Sequence, residues 1–78
     1  MDFVSFRDAL ADAHGALEVD DLQPDTALGN LPQWDSLAVL TTMEVSETEF
    51  DAPLTAAEIR ACTTFGELFD KAKANQRT

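Results

Sequence analysis

Asp35 and Ser36 are the residues on which chemistry would most naturally centre, in the stretch Gln33-Trp34-Asp35-Ser36-Leu37-Ala38-Val39-Leu40. A nucleophilic serine needs a base to take its proton, and Ser36 lies outside a G-x-S-x-G elbow. The single histidine, His14, belongs to an earlier segment with no evident oxyanion hole, so a hydrolase is rejected. Cys62 and His14 are too few for a metal site of soft ligands. The acidic run Asp20, Asp21 and Asp25 lacks the glycine and the twelfth-position glutamate of a calcium loop, and reads as solvated. What remains is a serine that is itself modified. A helix start exposes its first-turn side chains, and its unpaired N–H groups and dipole favour an anion such as a phosphodiester. On propensity alone, a serine at a helix start is far more often a cap or a first-turn residue.

The rest of the chain must supply that helix start. Seventy-eight residues make one small domain, and 45% hydrophobic composition argues for a packed core. One cysteine forms no internal disulfide, no apolar run is long enough to cross a membrane, and the N-terminus is neither basic nor apolar enough for a signal peptide. These features imply a soluble, cytoplasmic protein in a reducing compartment, and a monomer is expected. The formal net charge is −10, and it is lopsided. Residues 1–50 hold 11 acids and one base, Arg7, whereas residues 51–78 hold four of each. Such a surface repels phosphate backbones, which excludes nucleic acid. It either steers toward basic patches on partner proteins or simply keeps a small protein soluble.

Four helical segments are predicted, over about 2–16, 36–50, 55–61 and 64–74, with a long loop over 17–35. Phe3, Phe6, Leu10, Ala13 and Leu17 form one stripe, with Asp2 as N-cap and Gly15 near the end. Pro24, Gly29, Asn30 and Pro32 break the pattern after it, while Leu22, Leu28 and Leu31 can pin the loop to a core. Thr55-Ala56-Ala57-Glu58 is a capping box flanked by the Leu54/Ile59 staple, and Thr64-Phe65-Gly66-Glu67 is a second one. The tail after Lys73 is polar and is expected to fray. The fold class is all-α, a small four-helix bundle with a short third helix.

The second segment carries two apolar groups. Val39, Met43 and Phe50 share the expected core face, with Ser46 completing the stripe and Val45 pointing elsewhere. Leu37 and Leu40 lie on another side beside Glu44 and Glu47, which suggests a contact surface. A buried Ser46 would need a partner, for which the Thr42 carbonyl is the candidate.

Asp35-Ser36-Leu37, after a loop and heading the second of four helices in an acidic domain of this length, resembles the acyl carrier protein family. The resemblance covers nearly the whole chain. Phe50-Asp51 looks like the family's turn after helix two. Leu54 before the capped third helix, and Thr63-Thr64-Phe65-Gly66-Glu67-Leu68 opening the fourth, also match. The resemblance implies a non-catalytic carrier on which a phosphopantetheinyl transferase attaches 4′-phosphopantetheine, from coenzyme A, to Ser36. Asp35 would support that modification. Leu37, Leu40, Glu44 and Glu47 would face partners: acyl-loading enzymes (an acyltransferase or adenylating ligase), and a ketosynthase or other acyl-processing enzymes. Val39, Met43, Ser46, Leu54, Ile59 and Cys62 would form the core or acyl-chain pocket.

The sequence departs from carriers of primary type II fatty acid synthesis in two respects. Ala38, Thr41 and Thr48 stand where acids are frequent in those carriers. Trp34 before Asp35-Ser36 resembles discrete carriers of polyketide, nonribosomal peptide or other specialised pathways, although it could equally be a loop anchor. Thr42 and Ser46 would make the helix-two wall polar, so that long alkyl chains are sequestered poorly; the competing expectation is a local rotation that puts Val45 inward instead. The alternative from a different class is an unmodified acidic helical protein-interaction module that uses the Leu37/Leu40 patch.

Overall fold

The structure is a computed structural model and describes residues 1–77. The described residues form four α-helices and no strand: α1 (Phe3–His14), α2 (Ser36–Phe50), α3 (Ala56–Ala61) and α4 (Phe65–Asn75). None of these helices is long and apolar enough to cross a membrane. Each start follows from a short polar cap. Asp2 accepts the Ser5 N–H at 2.7 Å, and Thr55 with Glu58 makes the full reciprocal box. Gly15 ends α1 at φ 76°, a left-handed conformation that glycine adopts without steric cost. The second predicted box is only half formed. Thr64 accepts the Glu67 N–H at 3.2 Å, but the Glu67 carboxylate reaches one residue further back, to the Thr63 N–H at 2.7 Å.

Phe6, Leu10, Leu17, Leu22, Leu28, Val39, Leu54, Ile59, Phe65 and Leu68 form the core. Ala13, predicted to continue the α1 stripe, is exposed because the helix ends one residue later and the chain turns away. The long connection carries two 3₁₀ turns, Val19–Asp21 and Leu28–Asn30, and its leucines do pin it: Leu22 and Leu28 are buried and Leu31 packs against the core.

Backbone pairing ties the same loop to the head of α4. Leu28 donates to the Thr63 carbonyl, Phe65 to Thr26 and Gly66 to Pro24, each at 2.9 Å. A Cβ on Gly66 would lie 2.5 Å from the Pro24 oxygen that its own N–H binds. Gly66→Ala is therefore expected to destabilise the chain by about 1–2 kcal/mol, since overpacking of about 1–3 kcal/mol exceeds the improved helix propensity of up to about 1 kcal/mol. Urea unfolding checks this; a stabilised variant would show that the loop yields freely.

The tail, expected to fray after Lys73, is tied down through Asn75, Gln76 and Arg77; Thr78 lies outside the described residues. Asn75 donates to the Pro53 carbonyl at 2.9 Å, Gln76 to the Phe50 carbonyl at 3.0 Å, and the Arg77 N–H to the Asp51 carbonyl at 2.9 Å. Two side chains and one backbone N–H thus clasp the α2–α3 connection, a long-range arrangement with no periodic signature. Asn75 also donates to Glu58 at 3.1 Å, and Lys71 pairs with Glu58 at 3.4 Å. The Thr55 backbone N–H, followed by Asn75, is the main cause holding the Glu58 carboxyl at about 2 instead of 4.5. A carboxylate with a lowered pKa contributes stability that is present above its unfolded value and lost as pH falls through its folded one. The stability difference between wild type and Glu58→Gln is therefore expected to shrink from about pH 4.5 down to about pH 2, as read by urea unfolding across that range.

Candidate functional site

The site begins at the head of α2. Asp35 is the N-cap, with extended backbone, and its Oδ1 accepts the Ala38 N–H at 3.0 Å. That bond orders the first turn and leaves Ser36, the first helical residue, exposed. The Ser36 hydroxyl makes no hydrogen bond to any described residue, so no bond to those residues has to be broken to derivatise it.

Helical geometry of about 100° per residue then divides α2. Ala38, Val39, Thr42, Val45 and Ser46 are buried along one side. Leu37 and Leu40, each 60% exposed, lie on the opposite side with the exposed Glu44 and Glu47. This is the face expected from the sequence, with one addition: the Arg77 guanidinium comes within 3.8 Å of Glu47 and 3.2 Å of Asp51. The tail therefore supplies a cation to one of the four predicted contact residues.

The inward side differs from expectation in four respects. Val45 and Ser46 are both buried, because α2 packs on two neighbours and its buried arc is wider than one stripe. Ser46 finds the Ala52 carbonyl, not that of Thr42, while the Ala52 N–H donates back to the Ser46 carbonyl at 2.9 Å. This second bond belongs to a Schellman closure around Asp51, whose φ of 52° places it in the left-handed region. Met43 and Cys62 are only half-buried, and Ala38 lies fully inside, so it is not an outward position where an acid is missing. Thr42 donates to the Ala38 carbonyl at 2.8 Å. Both buried hydroxyl protons are thus spent on backbone carbonyls, which lessens the polarity that the pair would otherwise give the α2 wall.

Beside Ser36 opens a groove of about 630 Å³, between the loop, α2 and α3. Of the predicted pocket residues, Val39, Ile59 and Cys62 line it together with Asp35 and Ser36; Met43, Ser46 and Leu54 do not. Trp34 forms part of its wall as well as packing against the core. Sequence reasoning missed Ala27, Asn30, Arg60 and Thr63 there. Loop residues carry no periodicity, and Arg60 belongs to a helix too short to reveal a face. Burial, then the negative charge of Glu67, pushes the Cys62 thiol above its usual value, so it stays protonated at neutral pH and is a poor nucleophile within the groove. His14, half-buried in the last turn of α1, does not line the groove, so Ser36 has no imidazole beside it there.

No family model, curated protein or solved structure matches the chain.

Proposed function

We propose that this chain is an acyl carrier protein, non-catalytic itself, which holds acyl intermediates as thioesters on a 4′-phosphopantetheine arm attached to Ser36. The observation that carries this reading is the pairing of an exposed, hydrogen-bond-free Ser36 hydroxyl with an adjoining groove that is part apolar and part polar. The groove fits a slender arm: Val39, Ile59 and Trp34 offer apolar wall, while Asn30 and Thr63 offer partners for amides. A phosphopantetheinyl transferase would form the bond from Ser36 Oγ to phosphorus and break the pyrophosphate of coenzyme A, releasing adenosine bisphosphate. Asp35 supports that step by holding the first turn of α2 so that Oγ stays outward. Once attached, the arm's terminal thiol supplies the thioester.

Leu37, Leu40, Glu44 and Glu47 form the partner-facing surface for loading and acyl-processing enzymes. An acid-rich rim around two leucines suits quick, salt-sensitive contacts with basic patches, as a shuttle requires. Trp34, Thr41 and Thr48 favour polyketide, nonribosomal peptide or other specialised biosynthesis over primary fatty acid synthesis, whereas the buried Ala38 carries no weight. Incubation with coenzyme A and a broad-specificity transferase is expected to add one phosphopantetheinyl group by intact mass, located at Ser36 by peptide mapping. No gain would leave the Leu37/Leu40 patch as the basis of an unmodified interaction module, and a gain at another residue would overturn Ser36 as the attachment site.

A further inference from the structure

One cation lines the groove beside Ser36: Arg60, which is exposed to solvent. The chain has five bases against fifteen acids, so a base can readily find a carboxylate. Arg7 pairs with Asp8, Lys71 with Glu58, and Arg77 with Glu47 and Asp51. Among the described residues Arg60 and Lys73 have no such partner, and of these two only Arg60 lines the groove. Arg60 stands in the last turn of α3, where the helix dipole favours a cation. The dipole accounts for a base in that turn, but not for an unpaired arginine lining the groove that also contains Ser36. Asp35 lines the same groove, yet its Oδ1 is engaged by the Ala38 N–H and it forms no ion pair with Arg60.

We infer that Arg60 binds the phosphodiester formed on Ser36 and lays the arm along the groove; this rests on the carrier reading above. A guanidinium presents planar, paired N–H donors that match two phosphate oxygens, and it remains charged at any physiological pH. A phosphodiester on Ser36 lies next to the Asp35 carboxylate, and Arg60 is the cation that lines the same groove. Seated in this way, the arm lies against Val39, Ile59 and Trp34 instead of extending freely from the head of α2. Arg60 is a positioning residue and takes no part in bond making.

The test compares wild type, Arg60→Gln, Arg60→Lys and Lys73→Gln, each converted to the unacylated holo form and confirmed by intact mass. Lys73→Gln removes the same charge outside the groove. The phosphorus-31 resonance of the arm is expected to move by more than its linewidth in Arg60→Gln and partway in Arg60→Lys, and to stay in place in Lys73→Gln. In wild type alone, salt of about 1 M, where the Debye length is about 3 Å, is expected to shift the resonance toward the Arg60→Gln position. In proton–nitrogen spectra the Arg60 Nε–H is expected to shift between the apo and holo forms. Identical phosphorus resonances in wild type and Arg60→Gln would overturn the inference while the carrier reading stands. A response that appears only after a carboxylated acyl group is loaded would overturn it in favour of contact with the cargo. Absence of any mass gain in wild type would overturn both.

Discussion

Ser36→Ala is expected to abolish arm attachment completely while leaving the folded state within about 0.5 kcal/mol of wild type. The two effects separate because Ser36 and Asp35 divide the work at the head of α2. Asp35 caps the helix through the Ala38 N–H, whereas the Ser36 hydroxyl is exposed and bonds no described residue. Alanine has the higher helix propensity, so any change in stability should be slightly favourable. Asp35→Ala should do the opposite. Losing the cap costs about 1 kcal/mol, and modification slows without stopping. Intact mass after incubation with coenzyme A and a transferase, together with urea unfolding of the same samples, measures both quantities. A Ser36→Ala protein that still gains mass would place the attachment site elsewhere. One that unfolds early would make Ser36 a structural residue.

Phe6→Ala is expected to cost about 3–5 kcal/mol, a large part of the stability of a domain this small. Phe6 is fully buried on α1, and its ring centroid lies 5.8 Å from both Phe50 and Phe65 and 6.0 Å from Phe69. One side chain thereby joins α1 to the end of α2 and to α4. Such ring pairs add about 0.5–1.5 kcal/mol beyond the area they bury. The cavity left by truncation could not close easily, because the surrounding rings are held on helices anchored at their ends. Thr64 caps α4 and the Asp51 turn closes α2. A thermal midpoint lower by roughly 20 °C or more is the expected readout. Phe3→Ala, at a half-buried position with edge contacts to Phe65 and Phe69 at 5.5 and 5.6 Å, should cost clearly less. If Phe6→Ala loses under about 1.5 kcal/mol, the aromatic cluster does not dominate the core.

The Ser36→Ala outcome also bears on the alternative reading of the chain. An unmodified interaction module would tolerate Ser36→Ala without loss of function and would depend on the Leu37/Leu40 face alone. A carrier loses its cargo in Ser36→Ala while that face remains intact.

What the residues declared by themselves was local. Caps are short-range chemistry between a side chain and a backbone N–H three residues on, so Asp2, Asp35, Thr55 and Thr64 located all four helix starts. Helical periodicity separated the exposed Leu37, Leu40, Glu44 and Glu47 from the buried Val39, because amphipathicity is written along a single element. Together these also put Ser36 outside and Val39 inside, and so defined the candidate site in outline.

Folding decided everything that depends on residues distant along the chain. Ser46 bonds Ala52 only because a left-handed Asp51 folds the connection back over the end of α2. The polar tail holds, through Asn75, Gln76 and Arg77, because the α2–α3 connection presents free carbonyls at the right place. The groove beside Ser36 exists because the loop is stitched to the head of α4 at Pro24, Thr26 and Thr63, which brings Asn30, Thr63 and Arg60 beside α2. A backbone carbonyl has the same chemistry at every position, so no pattern of residue types could tell which carbonyls would be left to receive these side chains. That choice belongs to the tertiary structure, and with it the placing of Arg60 in the groove.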